Sequence, residues 1–490
     1  MAPSLRIIKE GNQEAASCGV SVNVSDIKDR GVDYKAYQGN VALVTLGCAK
    51  NQVDSEVMLG VLESNGFQIV NDVAMADVAI VNTCGFLESS INESIDCVLE
   101  ISKLKESGRL RRLIVAGCMV ERFKGDIRTA LPEVDSFVGL DDILNIANAA
   151  GGSEMKDLFN SAARPYFLYD DSMPRRLSTL SHMAYVKVSE GCDRPCTFCI
   201  IPKIRGAMRS RSIESVVSEI KMLGQQGVKE VNLVAQDLTS YGKDRKPEDL
   251  KSLLRAIDKE RSVAWVRLLY AYPVGIDEEL LKLIVELPSI ANYLDLPLQH
   301  SSENVLKLMQ RPIGRYAAKN IIRFIRDTAP EIKMRTTFIV GFPGETEEDI
   351  QDLENFVREG HFSSVGVFTY SREEGTPSYD LEGHISEKEK NSRRERVMLA
   401  QQEGLENRMN GYIGQTIEVL VEGHHEETDL LLSGRAEFQA PEVDGSVIIN
   451  DIEGVDLENI DESQYIGKIL PVTITEVNGY DLIGKLNLVC

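Results

Sequence analysis

Three cysteines crowd together at Cys192, Cys196 and Cys199, in the run Glu190-Gly-Cys-Asp-Arg-Pro-Cys-Thr-Phe-Cys-Ile-Ile-Pro202. The spacing is Cys-x3-Cys-x2-Cys, just past a strand-like segment. Three thiolates so placed can hold three irons of a cubane [4Fe–4S] cluster. Such clusters usually take four cysteines, so three leave one iron open to a substrate or cosubstrate. Structural zinc would ask for four ligands and no open position, and the next histidine after Cys199 is His300.

Cys48, Cys84 and Cys118 are spread out, 36 and 34 residues apart. Each ends an apolar run: Val41 to Cys48, Asp77 to Cys84, Arg112 to Cys118. A separation of about 35 residues is one strand–helix unit of a parallel sheet, and the carboxyl ends of such strands line the binding crevice. Three thiols would therefore converge there and could bind a second three-cysteine cluster. Gly47, Gly85 and Gly117 flank them and permit close backbone approach. Cys97 sits in a helical apolar pattern and reads as core packing. Cys18 and Cys490 are assigned nothing.

The elements needed to place these thiols are legible. Residues 1–38 hold five acids and no apolar core of a signal peptide, and read as a disordered leader. Residues 39–150 alternate strands with helices at Asn51–Asn65 and Ile91–Leu104, hence a parallel α/β domain. Residues 151–180 read as linker. Residues 181–410 contain six strand-like runs starting at Ala184, Glu230, Trp265, Tyr293, Lys333 and Ser364, most followed by helical patterns. Six such units fit a partial (βα)6 barrel whose site lies at the carboxyl ends of its strands. Glu387 to Asn410 reads as a charged surface helix with a solvated face. Residues 411–485 are β-like and suit a small barrel related to the OB-fold.

The Cys192 motif at the end of a first barrel strand resembles the radical S-adenosylmethionine (SAM) superfamily. Two three-cysteine sites in this order, followed by a small β domain, resemble its methylthiotransferase family over residues 39–485. Leu46-Gly-Cys48-Ala-Lys-Asn51, Asp54-Ser-Glu56, Val81-Asn-Thr-Cys84-Gly-Phe86 and Gly117-Cys118-Met-Val-Glu-Arg122 carry the likeness. Ala49 stands where that family commonly has proline. The resemblance implies two [4Fe–4S] clusters: an auxiliary one on Cys48, Cys84 and Cys118 that carries sulfur, and a SAM-cleaving one on Cys192, Cys196 and Cys199. One SAM would donate a methyl group and another a 5′-deoxyadenosyl radical, with an electron donor and a sulfur donor as partners. It also implies a C-terminal TRAM domain and SAM contacts from Phe198, from Gln236 at the end of the second barrel strand, and from Gly341, Gly344 and Glu345 in Thr337-Phe-Ile-Val-Gly-Phe-Pro-Gly-Glu345. Asp237 would face the site beside Gln236, and His300 reads as a satisfied structural histidine. No side-chain acid or base is required.

Charge bears on the substrate. The 490 residues carry a net charge of −22, with 43 % hydrophobic and 27 % charged residues, which disfavours broad affinity for nucleic acid or anionic membranes. Residues 411–490 alone hold three basic residues and sixteen acids, a net −13. Such a domain repels RNA and attracts a basic partner. The family has a branch that modifies tRNA adenosine and one that modifies an aspartate of the twelfth small-subunit ribosomal protein. The charge fits the second, as does the resemblance of Gly434-Arg-Ala-Glu-Phe-Gln-Ala-Pro-Glu-Val-Asp-Gly445 to that branch. An iron–sulfur electron-transfer or scaffold protein is the non-enzymatic alternative. Nine cysteines, an odd number without a signal segment, and no apolar run long enough to span a membrane, fit a reducing, cytoplasmic setting.

Overall fold

The computed structural model describes residues 38–152, 157–159, 165–452 and 462–487. The leader expected at 1–38 therefore lies almost wholly outside the described residues, as do Cys18 and Cys490. Among the described residues no helix is long and apolar enough to cross a membrane.

The first unit comprises β1 (Gly39–Thr45), α1 (Ala49–Ser64), β2 (Phe67–Ile69), β3 (Val78–Thr83), α2 (Glu88–Glu106), β4 (Arg112–Gly117), α3 (Cys118–Phe123), α4 (Ile127–Ala130), β5 (Ser136–Val138), α5 (Ile146–Gly151) and β6 (Asp157–Leu158). Its sheet is parallel, in the order β2-β1-β3-β4-β5-β6. The β-branched centre of β3 is buried on both faces, as a parallel sheet covered by helices requires. The stretch read as linker contributes β6, a two-residue edge strand too short to leave a pattern in the sequence.

The second unit comprises β7 (Met183–Lys187), β8 (Ser189–Glu190), α6 (Ile201–Ile204), β9 (Arg209–Ser210), α7 (Ile213–Gln225), β10 (Glu230–Val234), α8 (Leu250–Glu260), β11 (Trp265–Leu268), α9 (Glu278–Glu286), β12 (Ile290–Asp295), α10 (Glu303–Leu308), α11 (Ala318–Thr328), β13 (Lys333–Val340), α12 (Glu347–Arg358), β14 (Ser364–Thr369) and α13 (Glu387–Asn410). The six long strands run parallel in chain order, β7-β10-β11-β12-β13-β14, a curved sheet left open between its first and last strands. Caps written into the sequence set several helix starts. Asp249 with Ser252, and Thr346 with Asp349, form reciprocal capping boxes on α8 and α12. The face of α13 is not wholly solvated: Lys390 and Arg393 are buried, Lys390 on the carbonyl of Tyr370 (2.8 Å) and Arg393 on Glu345 (2.7 Å).

The third unit is a closed barrel of β15 (Thr416–His425), β16 (Thr428–Ala436), β17 (Val447–Ile452), β18 (Ile469–Asn478) and β19 (Asp481–Leu486), ordered β15-β16-β17-β19-β18. Val419, Val421, Leu432, Ile449, Val472 and Leu482 fill it. Its Gly434–Gly445 segment docks into the open sheet of the second unit. Ala440 joins the cluster of Met183, Tyr185, Ala291 and Tyr293. Arg267 donates to the carbonyl of Glu437, the amide of Asn292 donates to the Glu437 carboxylate (2.8 Å), and the Tyr293 hydroxyl donates to Asp444 (2.7 Å). Arg435 bridges Glu230 of the barrel and Glu422 of its own domain. Glu422, Glu437 and Asp444 are thus internal partners, while Glu418, Glu426, Glu427, Glu442 and Glu476 remain exposed.

This docking carries a pH signature. Burial alone would raise the Glu230 carboxyl, but Arg267 and Arg435 outweigh it and push it down to about 2. The folded value lies below the unfolded one of about 4.3, so the stabilisation is complete above pH 4.3 and is lost as pH falls toward 2. Denaturant unfolding is expected to lose up to about 3 kcal/mol across that window. Glu230→Gln should be less stable at neutral pH and lack this part of the acid dependence.

Candidate active site

Cys48, Cys84 and Cys118 follow the carboxyl ends of β1, β3 and β4, three adjacent strands of the first sheet. Backbone at two glycines makes the convergence possible. Gly47 has φ +103°, and a β-carbon there would sit 3.1 Å from that of Cys84; Gly117 has φ +96°, and a β-carbon there would strike the Asn82 side chain. The thiols are close enough to influence one another: Cys48 and Cys84 both act to raise Cys118, although burial is the main cause that pushes it to about 12. Cys48 behaves oppositely. Burial would raise it, but Lys50 and Arg205 overcome that and lower it.

Asn51 knits the site, donating to the carbonyls of Leu46 (3.0 Å) and Thr83 (3.1 Å) and facing Cys118 Sγ at 3.4 Å through Oδ1. Arg122 holds the loop after Cys84 through the carbonyls of Gly85 and Phe86, and pairs with Glu373 of the second unit at 2.9 Å.

The second thiol set occupies the loop between β8 and α6, whose short antiparallel pairing of β8 with β9 closes its base. The amide of Arg194 donates to Cys192 Sγ (3.4 Å) and Arg311 approaches Cys196 Sγ at 3.9 Å. Thr197 ties the loop to the carbonyls of Met309 (3.0 Å) and Leu308 (2.8 Å). Burial pushes the Cys192 thiol to about 11 and the Cys199 thiol to about 12. Metal coordination reverses such a preference, because a ligating thiol is deprotonated.

A buried network joins the two sets. Arg205 reaches Glu190 (3.0 Å), Asn51 (2.5 Å), Asp54 (3.1 Å) and Cys118 Sγ (3.2 Å), and Lys187 pairs with Asp54 and Glu190. Glu190 lies two residues before Cys192, so the chain of contacts runs from one thiol set to the other. Two cations against two carboxylates keep it neutral. Burial alone would raise Glu190, but Arg205 and Lys187 hold it well below the usual carboxylate range.

Both sets fit iron–sulfur ligation on their donor chemistry. Each offers three free thiols, with basic side chains beside them to offset anionic sulfur. No three Cys, His, Asp or Glu side chains among the described residues close around a single metal ion; a cubane instead spreads its thiolates over separate irons.

The other residues singled out in the sequence fall as follows. Gln236 donates to Glu190 at 2.7 Å, with its Oε1 unsatisfied. Phe198 packs with Val305, Met309, Phe342 and Tyr370. Gly341 (φ +76°) and Gly344 (φ +85°) form the turn after β13. Glu345 is already engaged: it accepts from the Gly341 amide (2.9 and 3.0 Å) and from Arg393 (2.7 Å), so it shapes the turn rather than presenting a free carboxylate. Asp237 is bound by Arg194 (2.6 Å), Thr239 and Ser240. His300 is fully buried, accepting from the Ser302 amide (3.0 Å) with Nε2 at 3.4 Å from Glu345. Lys50, Arg205, Tyr270, Tyr272 and Arg311 were not singled out by sequence reasoning. Lys50 and Arg205 lie within or near the cysteine motifs, and that proximity was their only signal.

Three family models match in succession: "Uncharacterized protein family UPF0004" at residues 40–139, the radical SAM superfamily at 186–357 and the TRAM domain at 413–486. Among curated proteins, the "Ribosomal protein uS12 methylthiotransferase RimO" of Syntrophotalea carbinolica is 44 % identical over 91 % of this chain and 96 % of its own length. The protein of the same name from Bdellovibrio bacteriovorus is 42 % identical over 92 % and 98 %. Among solved structures, the radical SAM methyltransferase TsrM from Kitasatospora setae, with cobalamin and a [4Fe–4S] cluster bound, superposes with a TM-score of 0.50 at 16 % identity, covering 69 % of this chain and 76 % of that one. That likeness is one of fold. With the three domain families in order and relatives this similar along nine-tenths of its length, the chain belongs to the RimO methylthiotransferase family of radical SAM enzymes.

Proposed function

We propose that this chain transfers a methylthio group to the β-carbon of an aspartate side chain in ribosomal protein uS12, using SAM and two [4Fe–4S] clusters held on Cys48, Cys84 and Cys118 and on Cys192, Cys196 and Cys199. The observation that carries it is the pairing of two three-thiol sets across the Arg205 network, beside barrel strand ends. An electron-transfer protein would not require two three-thiol sets joined in this way at strand ends. When bound, the clusters supply the electron that breaks a SAM C–S bond at one set and the sulfur at the other.

The chain's own residues do the placing. Arg311, stacked on Tyr272 at 4.2 Å, puts positive charge beside Cys196 and would meet an anionic end of SAM, while Arg194, stacked on the same ring at 3.9 Å, is neutralised by Asp237. Phe198, Gln236 and the Gly341–Gly344 turn border the same set, with Glu345 as a positioning residue that fixes the turn. An electron donor and a sulfur donor complete the reaction. The exposed acids of the C-terminal barrel favour a basic protein over RNA.

Incubating reconstituted protein with SAM, a reductant and either uS12 or tRNA tests this. A methylthio mass gain on uS12 alone is expected; a gain on tRNA alone refutes the proposal. In the same assay, changing Glu418, Glu426 and Glu427 to Gln should weaken uS12 binding and flatten its salt dependence.

A further inference from the structure

Lys50 lies on the first turn of α1, two residues past Cys48, and is 8 % exposed. Its ammonium sits 3.2 Å from the centroid of the Tyr270 ring. Among the described residues no carboxylate comes within ion-pair distance of it. Lys187, Arg205, Arg211 and Arg267, also buried, each meet one, whereas buried Arg311 meets Cys196 Sγ and the Pro297 carbonyl instead. A buried cation with no carboxylate partner is costly, and the neighbouring Cys48 sulfur and the aromatic face only partly offset the lost water.

The ring beneath it is held with similar effort. Tyr270 has φ +62°, a conformation rare for a bulky residue, and its amide donates to Asp295 at 3.0 Å. Strain of this kind tends to persist where a site requires it. Tyr270 and Tyr272 leave the end of β11 two residues apart. Tyr270 receives a cation from beside Cys48, and Tyr272 receives Arg194 and Arg311 from beside Cys192 and Cys196. The two rings thus span from one thiol set to the other.

We infer that Lys50, seated on Tyr270, receives the side-chain carboxylate of the substrate aspartate and thereby sets its β-carbon between the two thiol sets. The inference rests on the uS12 reading above. The carboxylate is bonded directly to the carbon that accepts sulfur, so anchoring it beside Cys48 brings that carbon to the sulfur-bearing side. A charge-assisted contact of this kind also discriminates an acid from its amide. The carboxylate of SAM is the rival source of the same chemistry.

The test measures binding of two forms of uS12, with aspartate or asparagine at the target position, to the reconstituted wild-type, Lys50→Met and Lys50→Arg proteins, alongside iron content and SAM affinity. Lys50→Met is expected to weaken binding of the aspartate form by about ten- to a hundred-fold. It should leave the asparagine form, the iron and the SAM affinity unchanged, and Lys50→Arg should retain most of the preference for aspartate. Equal weakening of both forms, loss of SAM affinity, loss of iron, or an arginine variant that matches the methionine one would each overturn the assignment. Wild-type protein that ignores uS12 and modifies tRNA would sink the substrate reading, and this assignment with it.

Discussion

Alanine at Cys192, Cys196 and Cys199 together is expected to abolish reductive SAM cleavage and to leave about half the iron of the reconstituted protein, roughly four of eight atoms per chain. The remaining iron would sit on Cys48, Cys84 and Cys118, whose strand-end frame lies in the first unit. Asn51, Gly47 and Gly117 shape that site from within the first unit, and Arg205 keeps Asp54 and Glu190 as partners. The reciprocal triple variant should show the complementary pattern, cleaving SAM while inserting no sulfur. Iron analysis, the electron paramagnetic signal of the reduced clusters and release of 5′-deoxyadenosine check both. Zinc in place of iron, or iron lost from both sites in either variant, would contradict the assignment.

The second large effect is expected at Arg205. Its guanidinium is 2 % exposed and serves Glu190, Asp54, Asn51 and the Cys118 thiol at once. Arg205→Met leaves two buried carboxylates to share Lys187. Removing one partner from a buried ion pair typically costs about 3–5 kcal/mol, and that loss should appear as a lower midpoint of denaturant unfolding. The pH dependence should change too. Arg205, with Lys187, holds Glu190 below its unfolded value of about 4.3. The associated stabilisation is present above that value and is lost on acidification. The variant should therefore lose less stability between neutral and acid pH than the wild type, having less to lose. Arg255→Met offers the contrast: Arg255 is half exposed in its pair with Glu279, solvent screens such surface pairs, and little change in the unfolding midpoint is expected.

The thiol geometry was legible because it rests on periodicity. Three apolar runs ending in cysteine, one strand–helix unit apart, leave a parallel sheet few options, and β1, β3 and β4 lie side by side as that spacing requires. The six barrel strands were legible for the same reason. The short strands were not: β2, β5 and β6 have two or three residues each and take their places from neighbours. Nor were contacts made across long separations. Nothing near Arg205 announces Asn51 or Asp54, some 150 residues earlier. Glu345 looked available to a cofactor because the helix that occupies it, through Arg393, begins about forty residues later. The charge of the C-terminal domain was correctly summed from composition, but only folding shows that Glu422, Glu437 and Asp444 turn inward.

The seating of Gly434–Gly445 in the open barrel makes the C-terminal domain a stopper fitted to its socket. Arg435, Ala440 and the flanking acids meet Glu230, Arg267, Asn292, Tyr293 and Arg335 on four different strands. A domain grafted from a distant relative would arrive with its own plug and find a foreign hole. Exchanging the C-terminal domain without its socket residues would therefore break these pairings.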